Sequence, residues 1–360
     1  MIYQNNLKQN LKTKFNSIKH HPYFGFVVIT MLMLIVQLIR ALGVDVPLTL
    51  LRAFGLTMIY IVIALGFSIL LGYGGLASLG TAGFVGVGTY IFGYFTAEMG
   101  FSVFLIIILA IVAAVIIGLI VGFISLRIEG MYLAIITLGL SEILNEVFKN
   151  ATKFTNGTNG LGTDTIVIFN KWIEVDQNTI FIGIALVMLV IMILTVNIMK
   201  SPTGRALLAM RNSRSAAQAM GVSIFKHRLL AFMVSTVYAL LGGVLYMSYI
   251  EFSIPTTWSL GFSLNILAAV IVGGSQSIYG IVLGTFMIFG LNLGVLQQFD
   301  FFVENPEISV IFNGALIILV IMFYPGGLIK LLNILIYKIK MKIKEWKKKR
   351  REYKYGVDPE

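Results

Sequence analysis

Apolar residues in this chain fall into long, nearly unbroken runs separated by short polar or glycine-rich connections. Ten runs stand out, at about residues 24–39, 53–71, 77–97, 102–126, 132–148, 180–199, 229–250, 260–273, 278–296 and 309–324. Several reach the ~20 residues that an α-helix needs to cross a hydrocarbon core. A membrane barrel would instead show segments of about ten residues with alternating polarity. The third run is interrupted by glycine and the eighth is short. The pattern predicts an all-α polytopic membrane protein with about ten transmembrane helices. Its divisions are a basic N-terminus (1–23), a transmembrane domain (24–329) that contains a polar island (200–228), and a basic C-terminal tail (330–360).

Composition agrees with this class and adds a direction. The chain of 360 residues is 58% hydrophobic with a mean hydropathy of +0.91, and only 12% of it is charged. A soluble domain carries roughly a quarter charged residues. The net charge of +11 would by itself suit a nucleic-acid partner, but its distribution argues against one. With a cytoplasmic N-terminus, ten crossings place 22 of the 27 Lys and Arg on the inner side. The external stretch 297–308 then holds Asp300, Glu304 and Glu307 and no base. This bias sets the expected topology as N-in, C-in, with the island inside. The tail, "LIKLLNILIYKIKMKIKEWKKKRREYKYG", reads as a membrane-proximal helix whose basic face rests on anionic lipid.

Residues 1–22 are polar and basic and precede an apolar run, the layout of the first two regions of a signal peptide. No small-residue cleavage site follows in "RALGVDVP", so the run is expected to stay as the first span. With no cysteine, the chain has no disulfide, thiolate metal site or cysteine nucleophile. His20, His21 and His227 all lie in basic polar segments, poor settings for buried ligands.

Candidate chemistry begins at two glycine-rich breaks, "GYGGLASLGTAGFVGVGTY" (72–90) and "VGGSQSIYG" (272–280). Irregular backbone at membrane depth survives only where protein or a water-lined cavity satisfies its polar groups. Paired breaks in two halves of a transporter point to a central path. Gly74, Gly75, Ser78, Gly273 and Gly274 are therefore candidate pathway residues. The pairs Gly118/Gly122, Gly280/Gly284 and Gly290/Gly294 sit four apart and predict close helix packing. In the fifth run, Glu142, Asn145 and Glu146 share one helix face. Two readings of Glu142 are open: it lines a substrate path, or it is a structural carboxylate bonded to a neighbouring helix. In either case it is expected to face protein and not lipid.

The chain has no energy source of its own. It carries neither the phosphate-cradling G-x-x-x-x-G-K-[ST] nor H-E-x-x-H nor G-x-S-x-G, which leaves a membrane hydrolase unsupported. The apolar runs hold too few ionisable groups to suit proton coupling and fit a path driven from outside.

The island, "SPTGRALLAMRNSRSAAQAMGVSIFKHR" (201–228), interrupts this apolar chain with five Lys/Arg and no acid. "GRALLAMR" predicts a short helix after Pro202, with Arg205 at its start and Arg211 near its end. Ser213 or Ser215 is positioned to cap a second short helix and Gly221 to stop it. Its alanines leave room for another surface to approach. An ordinary positive-inside loop would explain the charge but not this pattern.

"SAAQAMG" resembles the E-A-A-x-x-x-G signature of ATP-binding-cassette importer permeases, with Ser215 where Glu is usual. "GGLASLGTAGFVGVGTYIFGYF", "GMYLAIITLGLSEIL", "NGTNGL", the island with its following helix, and "IVGGSQSIYGIVLGTFM" are similar to the LivM-type branched-chain amino-acid permease family. They cover most of residues 52–327. The resemblance implies an importer permease in a bacterial cytoplasmic membrane, not an enzyme, with the island as coupling loop. Its partners would be a second permease subunit, two ATPase subunits and an extracytoplasmic solute-binding protein. No cofactor would sit in this chain; ATP and Mg would bind the ATPases. Arg205, Arg211, Ser215, Ala216, Ala217 and Gly221 become the expected coupling residues, with Ala216 and Ala217 in a groove on the ATPase and the arginines at its acidic rim. Asn156-Gly-Thr, formally a glycosylation match, reads as a turn. Rival readings are a nucleoside or simple-sugar permease of the same fold, an ion-coupled secondary transporter, and a membrane scaffold that recruits partners through its tail.

Overall fold

The computed structural model describes residues 23–125, 132–163, 176–324 and 326–355. The basic N-terminal segment 1–22, the predicted connection at 127–131 and the last residues of the tail lie outside the described residues.

A helix lies at each of the ten apolar runs: α1 (Phe24–Ala41), α2 (Leu48–Ser68), α3 (Thr81–Ala97), α4 (Val103–Ser125), α5 (Tyr132–Asn150), α6 (Gln177–Lys200), α9 (Ile224–Ile250), α10 (Leu260–Gly273), α11 (Ile278–Thr285) and α12 (Pro306–Phe323). The island supplies two more, α7 (Pro202–Asn212) and α8 (Arg214–Ala219), and the tail forms α13 (Leu328–Tyr355). Two π-helical segments, Ile69–Tyr73 and Phe286–Gly290, extend α2 and α11. Among the described residues, five helical stretches are long and apolar enough to cross a membrane: Leu48–Tyr73, Val103–Ile124, Gln177–Lys200, Ile224–Ile250 and Ile278–Gln298. The bent pair Ile308–Phe323 and Leu328–Lys342 would make a sixth.

The third run departs from expectation. Its helix starts at Thr81 instead of 77, because residues 74–80 run as irregular backbone after the π-helical turn. Everywhere else the apolar pattern and the helix agree to within a few residues.

At the centre lies α9, which packs against α2, α3 and α4. Small residues let the backbones meet. A Cβ at Gly88 would strike the Leu240 carbonyl, and one at Gly243 would strike the Val85 carbonyl. Thr89 seals the same crossing by donating to the Val85 carbonyl at 3.0 Å and the Gly243 carbonyl at 3.3 Å. The predicted Gly118/Gly122 face of α4 lies on α9 at Met233, Leu229 and Phe232. Gly280 and Gly284 bring α11 onto the backbone of Gly273 and Ala269 in α10. The third pair behaves differently: Gly290 meets Phe286 of its own helix, and only Gly294 looks outward, toward Ala53 and Leu50.

A two-residue antiparallel ladder, Leu161↔Ser253 and Gly162↔Phe252, ties the connection after α5 to the end of α9. Before it, Asn156 takes a left-handed conformation (φ 56°) and donates to the Gly160 carbonyl at 2.9 Å, so Asn156-Gly-Thr does form a turn.

Candidate functional site

Three features that are remote in sequence meet at one end of the bundle: the two breaks and the island. The first break opens where α2 passes into the π-helical turn Ile69–Tyr73. Past it, α3 must restart inside protein, and a helix start leaves its first four N–H groups unpaired. Other helices supply most of the acceptors. Leu79 N–H donates to Thr137 Oγ1 at 3.0 Å and Gly83 N–H to Ser141 Oγ at 3.0 Å, both on α5. Ala82 N–H donates to Ser263 Oγ of α10 at 2.9 Å. Gly80 N–H turns back to Ser78 Oγ at 3.3 Å. All four hydroxyl residues are buried. Ser78, expected in a pathway, is thus part of this cap.

Thr137, Ser141 and Asn145 recur every four residues and form an inward polar stripe on α5. Asn145 donates to the carbonyls of Pro255 (2.9 Å) and Trp258 (3.1 Å). It thereby fixes the turn that leads into α10 and its Ser263. The expected grouping of Asn145 with two glutamates is split. Glu142 and Glu146 lie exposed on the outer side of α5, and Glu146 pairs with Lys149 at 2.7 Å. Glu142, expected to face protein, is exposed among the described residues of this chain. By helical pitch residue 142 lies about 100° around from Ser141, off the buried stripe. The four-residue spacing of Thr137, Ser141 and Asn145 was the available signal for the cap.

The second break is a compact hairpin. Gly274 (φ 107°) turns the chain, and Ser277 Oγ accepts from Gly280 N–H at 3.3 Å to start α11. Gly273 lies backbone to backbone on Gly280, and Gly274 lies against Ile329 and Gly326 at the approach to α13.

The breaks touch. Tyr73 donates through its hydroxyl to the Gln276 carbonyl at 2.7 Å, and the Gln276 amide donates to the Gly72 carbonyl at 3.2 Å. A Cβ at Gly72 would strike the Ser275 carbonyl. Gly74 lies over the Ile69 and Leu70 carbonyls that open the turn, while Gly75 (φ 66°) faces the Arg211 side chain.

The island is built as its sequence predicts. Ser201 caps α7 by accepting from Gly204 N–H at 3.4 Å, with Pro202 in the first turn. Of the two candidate caps for α8, Ser213 is the one used, accepting from Ala216 N–H at 3.4 Å. Gly221 ends the unit in the left-handed region (φ 81°). Buried Leu207 and Met210 hold α7 against the helices above it.

One expected docking residue points inward and another has a second contact. Ala217 is only 4% exposed and packs within its own chain, because α8 presents one face inward to stay attached. Arg211 is exposed and also donates to the Gly72 carbonyl, so it touches the first break. Ser215, Ala216 and Gly221 are exposed, as is Arg205, which donates to the Lys200 carbonyl at 3.1 Å. Sequence reasoning overlooked Met220, the most exposed large apolar side chain described, at 85%. Its place one residue before the stop glycine was the signal. Among the described residues no cluster of His, Asp or Glu suits a metal ion.

Comparison with known proteins supplies what geometry does not. A family model described as the branched-chain amino acid transport system / permease component matches residues 49–321. The high-affinity branched-chain amino acid transport system permease protein LivM of Escherichia coli is 29% identical over 297 residues, covering 76% of this chain and 68% of that protein. A probable branched-chain amino acid transport permease protein LivM of Methanocaldococcus jannaschii is 24% identical over 232 residues, or 61% of this chain and 66% of that one. The autoinducer 2 import system permease protein LsrC of Photorhabdus laumondii is 26% identical over 149 residues, 40% of this chain and 43% of its own. No solved structure matches the chain.

Proposed function

Because the chain belongs to the branched-chain amino acid transport permease family, we propose that it forms half of the membrane path of an ATP-driven importer for branched-chain or related amino acids. In this reading it crosses a bacterial cytoplasmic membrane ten times, with residues 24–329 as the transmembrane domain and both termini inside. Its 200–228 island docks one of two ATPase subunits, which bind ATP and Mg; this chain needs no cofactor. A second permease subunit completes the path, and an extracytoplasmic binding protein delivers solute. The 330–360 tail rests on anionic lipid.

The observation that carries the reading is the island itself. It is a doubly capped pair of short helices, attached through Leu207, Met210 and Ala217, that leaves Ser215, Ala216 and Met220 outward. A loop that served only to hold positive charge inside would need no such construction. The docking surface is accordingly Ala216 with Met220, with Arg205 at the rim and Ala217 behind it. An amino-acid substrate is favoured over a sugar or signal molecule because similarity to LivM covers 76% of this chain, against 40% for LsrC.

Co-purification tests the function. The tagged chain, expressed with its neighbouring genes, should bring down two ATPases and a second permease, and Met220→Asp should release the ATPases without loss of membrane insertion. Retention of the ATPases by Met220→Asp would move the docking surface elsewhere. Topology is tested in the same cysteine-free chain. Cysteines at Ser213 and Asn159 should label from opposite sides of intact cells, and labelling of both by an impermeant reagent would overturn the inside-out assignment.

A further inference from the structure

One oxygen joins the island to both membrane breaks, and we propose that Arg211 is the positioning residue that transmits movement of the island to them. The inference rests on the coupling reading above. The Gly72 carbonyl sits in the π-helical turn where α2 ends. Around it the backbone pairs past it: Gly74 N–H bonds to the Ile69 carbonyl, Gly75 N–H to Leu71 and Leu76 N–H to Leu70. The Gly72 carbonyl takes side chains instead. Gln276 donates to it from the second break at 3.2 Å, and Arg211 donates to it from α7. Tyr73 closes the loop by donating to the Gln276 carbonyl at 2.7 Å. Arg211 therefore bridges 139 positions of sequence and Gln276 bridges 204 to reach the same atom.

The fit extends beyond one hydrogen bond. Arg211 Cγ lies 3.4 Å from where a Cβ on Gly75 would stand, so the arginine stem occupies the space beside that glycine. Gly75 also needs its left-handed backbone, φ 66°. Gly72 is held by the Ser275 carbonyl on its other side. Leu207 and Met210 root α7 in protein, so α7 moves as a body and carries Arg211 with it. A guanidinium is permanently charged and presents several donors in a rigid fork, which makes it a directional link to a carbonyl. Its site is also separate from the outward surface at Ala216 and Met220. Arg211 is exposed, yet its guanidinium reaches the membrane helix at Gly72.

The break itself can report the link. Ser275→Cys places a single thiol beside Gly72 in this cysteine-free chain. The intact complex with its ATPases is labelled with a fluorescent maleimide, with and without ATP plus vanadate. With Arg211 present, nucleotide should change the labelling rate at least threefold. Arg211→Gln should abolish that change while the ATPases still co-purify to within twofold, and Arg211→Lys should retain part of it. Gln276→Ala, which removes the other donor to the same carbonyl, should reduce the change at least twofold; it also covers the case in which Arg211→Gln fails to accumulate. A full nucleotide response in Arg211→Gln, or no response with Arg211 in place and ATPases bound, would overturn the inference. Release of the ATPases by Arg211→Gln would overturn it too, by making Arg211 a docking residue. Failure of the unsubstituted chain to bind any ATPase is a different result, because it removes the coupling reading itself.

Discussion

In the first break, α3 restarts with its N–H groups on Thr137, Ser141 and Ser263, hydroxyls that belong to α5 and α10. In the second, α11 restarts on Ser277 of the same turn, with Gly273 and Gly280 pressed backbone to backbone. The sequences of the two breaks look alike, rich in Gly and Ser and set in apolar runs. Their physics differs. The first is complete only while three helices keep their relative positions, so any shift of α5 or α10 exposes unpaired donors. The second carries its own cap, and its ties to the first break run through Gln276 and Ser275 in the turn itself. A transporter that must change shape gains from having one break of each kind, since a hairpin that caps its own helix keeps that cap when displaced, whereas a cap shared among helices does not.

The largest effect should come from the packing of the second break. Gly284→Val would drive a branched side chain into the Ala269 carbonyl and the Gly273 backbone. Backbone cannot yield as a side chain does, so the cost should reach about 3 kcal/mol, the upper end for overpacking. Thermal unfolding of the detergent-purified chain should show a strongly lowered midpoint or no folded species. Near-normal stability would mean that the hairpin is looser than its glycines indicate.

Next in size is the shared cap. Ser141→Ala removes the acceptor of Gly83 N–H in a buried position. Its expected cost is about 1–2 kcal/mol, the penalty for a buried donor left unpaired. This exceeds the ~0.6 kcal/mol of an average side-chain hydrogen bond between membrane helices, because a helix N-terminus has no second partner within reach. Ser277→Ala should cost less, about 0.5–1 kcal/mol, since its half-exposed turn can recruit water. Equal costs for Ser141→Ala and Ser277→Ala would erase the distinction between the breaks. The comparison is made by unfolding midpoints on matched preparations.

Much of this arrangement is legible from the residues. Run length locates each of the ten apolar helices, because hydropathy acts locally along the chain. Ser201, Ser213 and Gly221 mark the ends of α7 and α8, because capping is decided within a few residues. What escapes depends on which face meets which neighbour. Ala217 resembles Ala216 in every local respect, yet one is inside and the other outside. Arg211 looks like a rim charge until α2 is placed beside it. The glutamates of α5 are conspicuous as ionisable groups in an apolar run, while the neutral hydroxyls beside them hold the break together. Period-four spacing of Thr137, Ser141 and Asn145 was visible, but hydroxyls also serve to bond their own helix, as Thr137 does with the Leu133 carbonyl at 2.9 Å. Only the juxtaposed N–H groups of α3 reveal their second use.

The smallest effect is expected one residue from the cap, and it isolates the two sides of α5. Glu142 is exposed on this chain, whereas Ser141 is 2% exposed. Glu142→Gln keeps size and hydrogen-bonding ability and removes only the charge, so the stability of the isolated chain should stay within about 0.5 kcal/mol. The carboxylate still requires an explanation. At membrane depth an ionised group facing hydrocarbon costs on the order of 2–3 kcal/mol even on lenient scales. It is exposed among the described residues, so in an assembled importer it should face another subunit or an aqueous path. Glu142→Gln should therefore leave the isolated chain unaltered and change assembly with the second permease, or solute uptake, in the complex. A loss of stability in the isolated chain as large as that of Ser141→Ala would place Glu142 on the cap side and undo the division of α5 into an inner and an outer face. Unchanged assembly and uptake, with unchanged stability, would return Glu142 to an ordinary exposed residue near the helix end, where its side chain reaches water on its own.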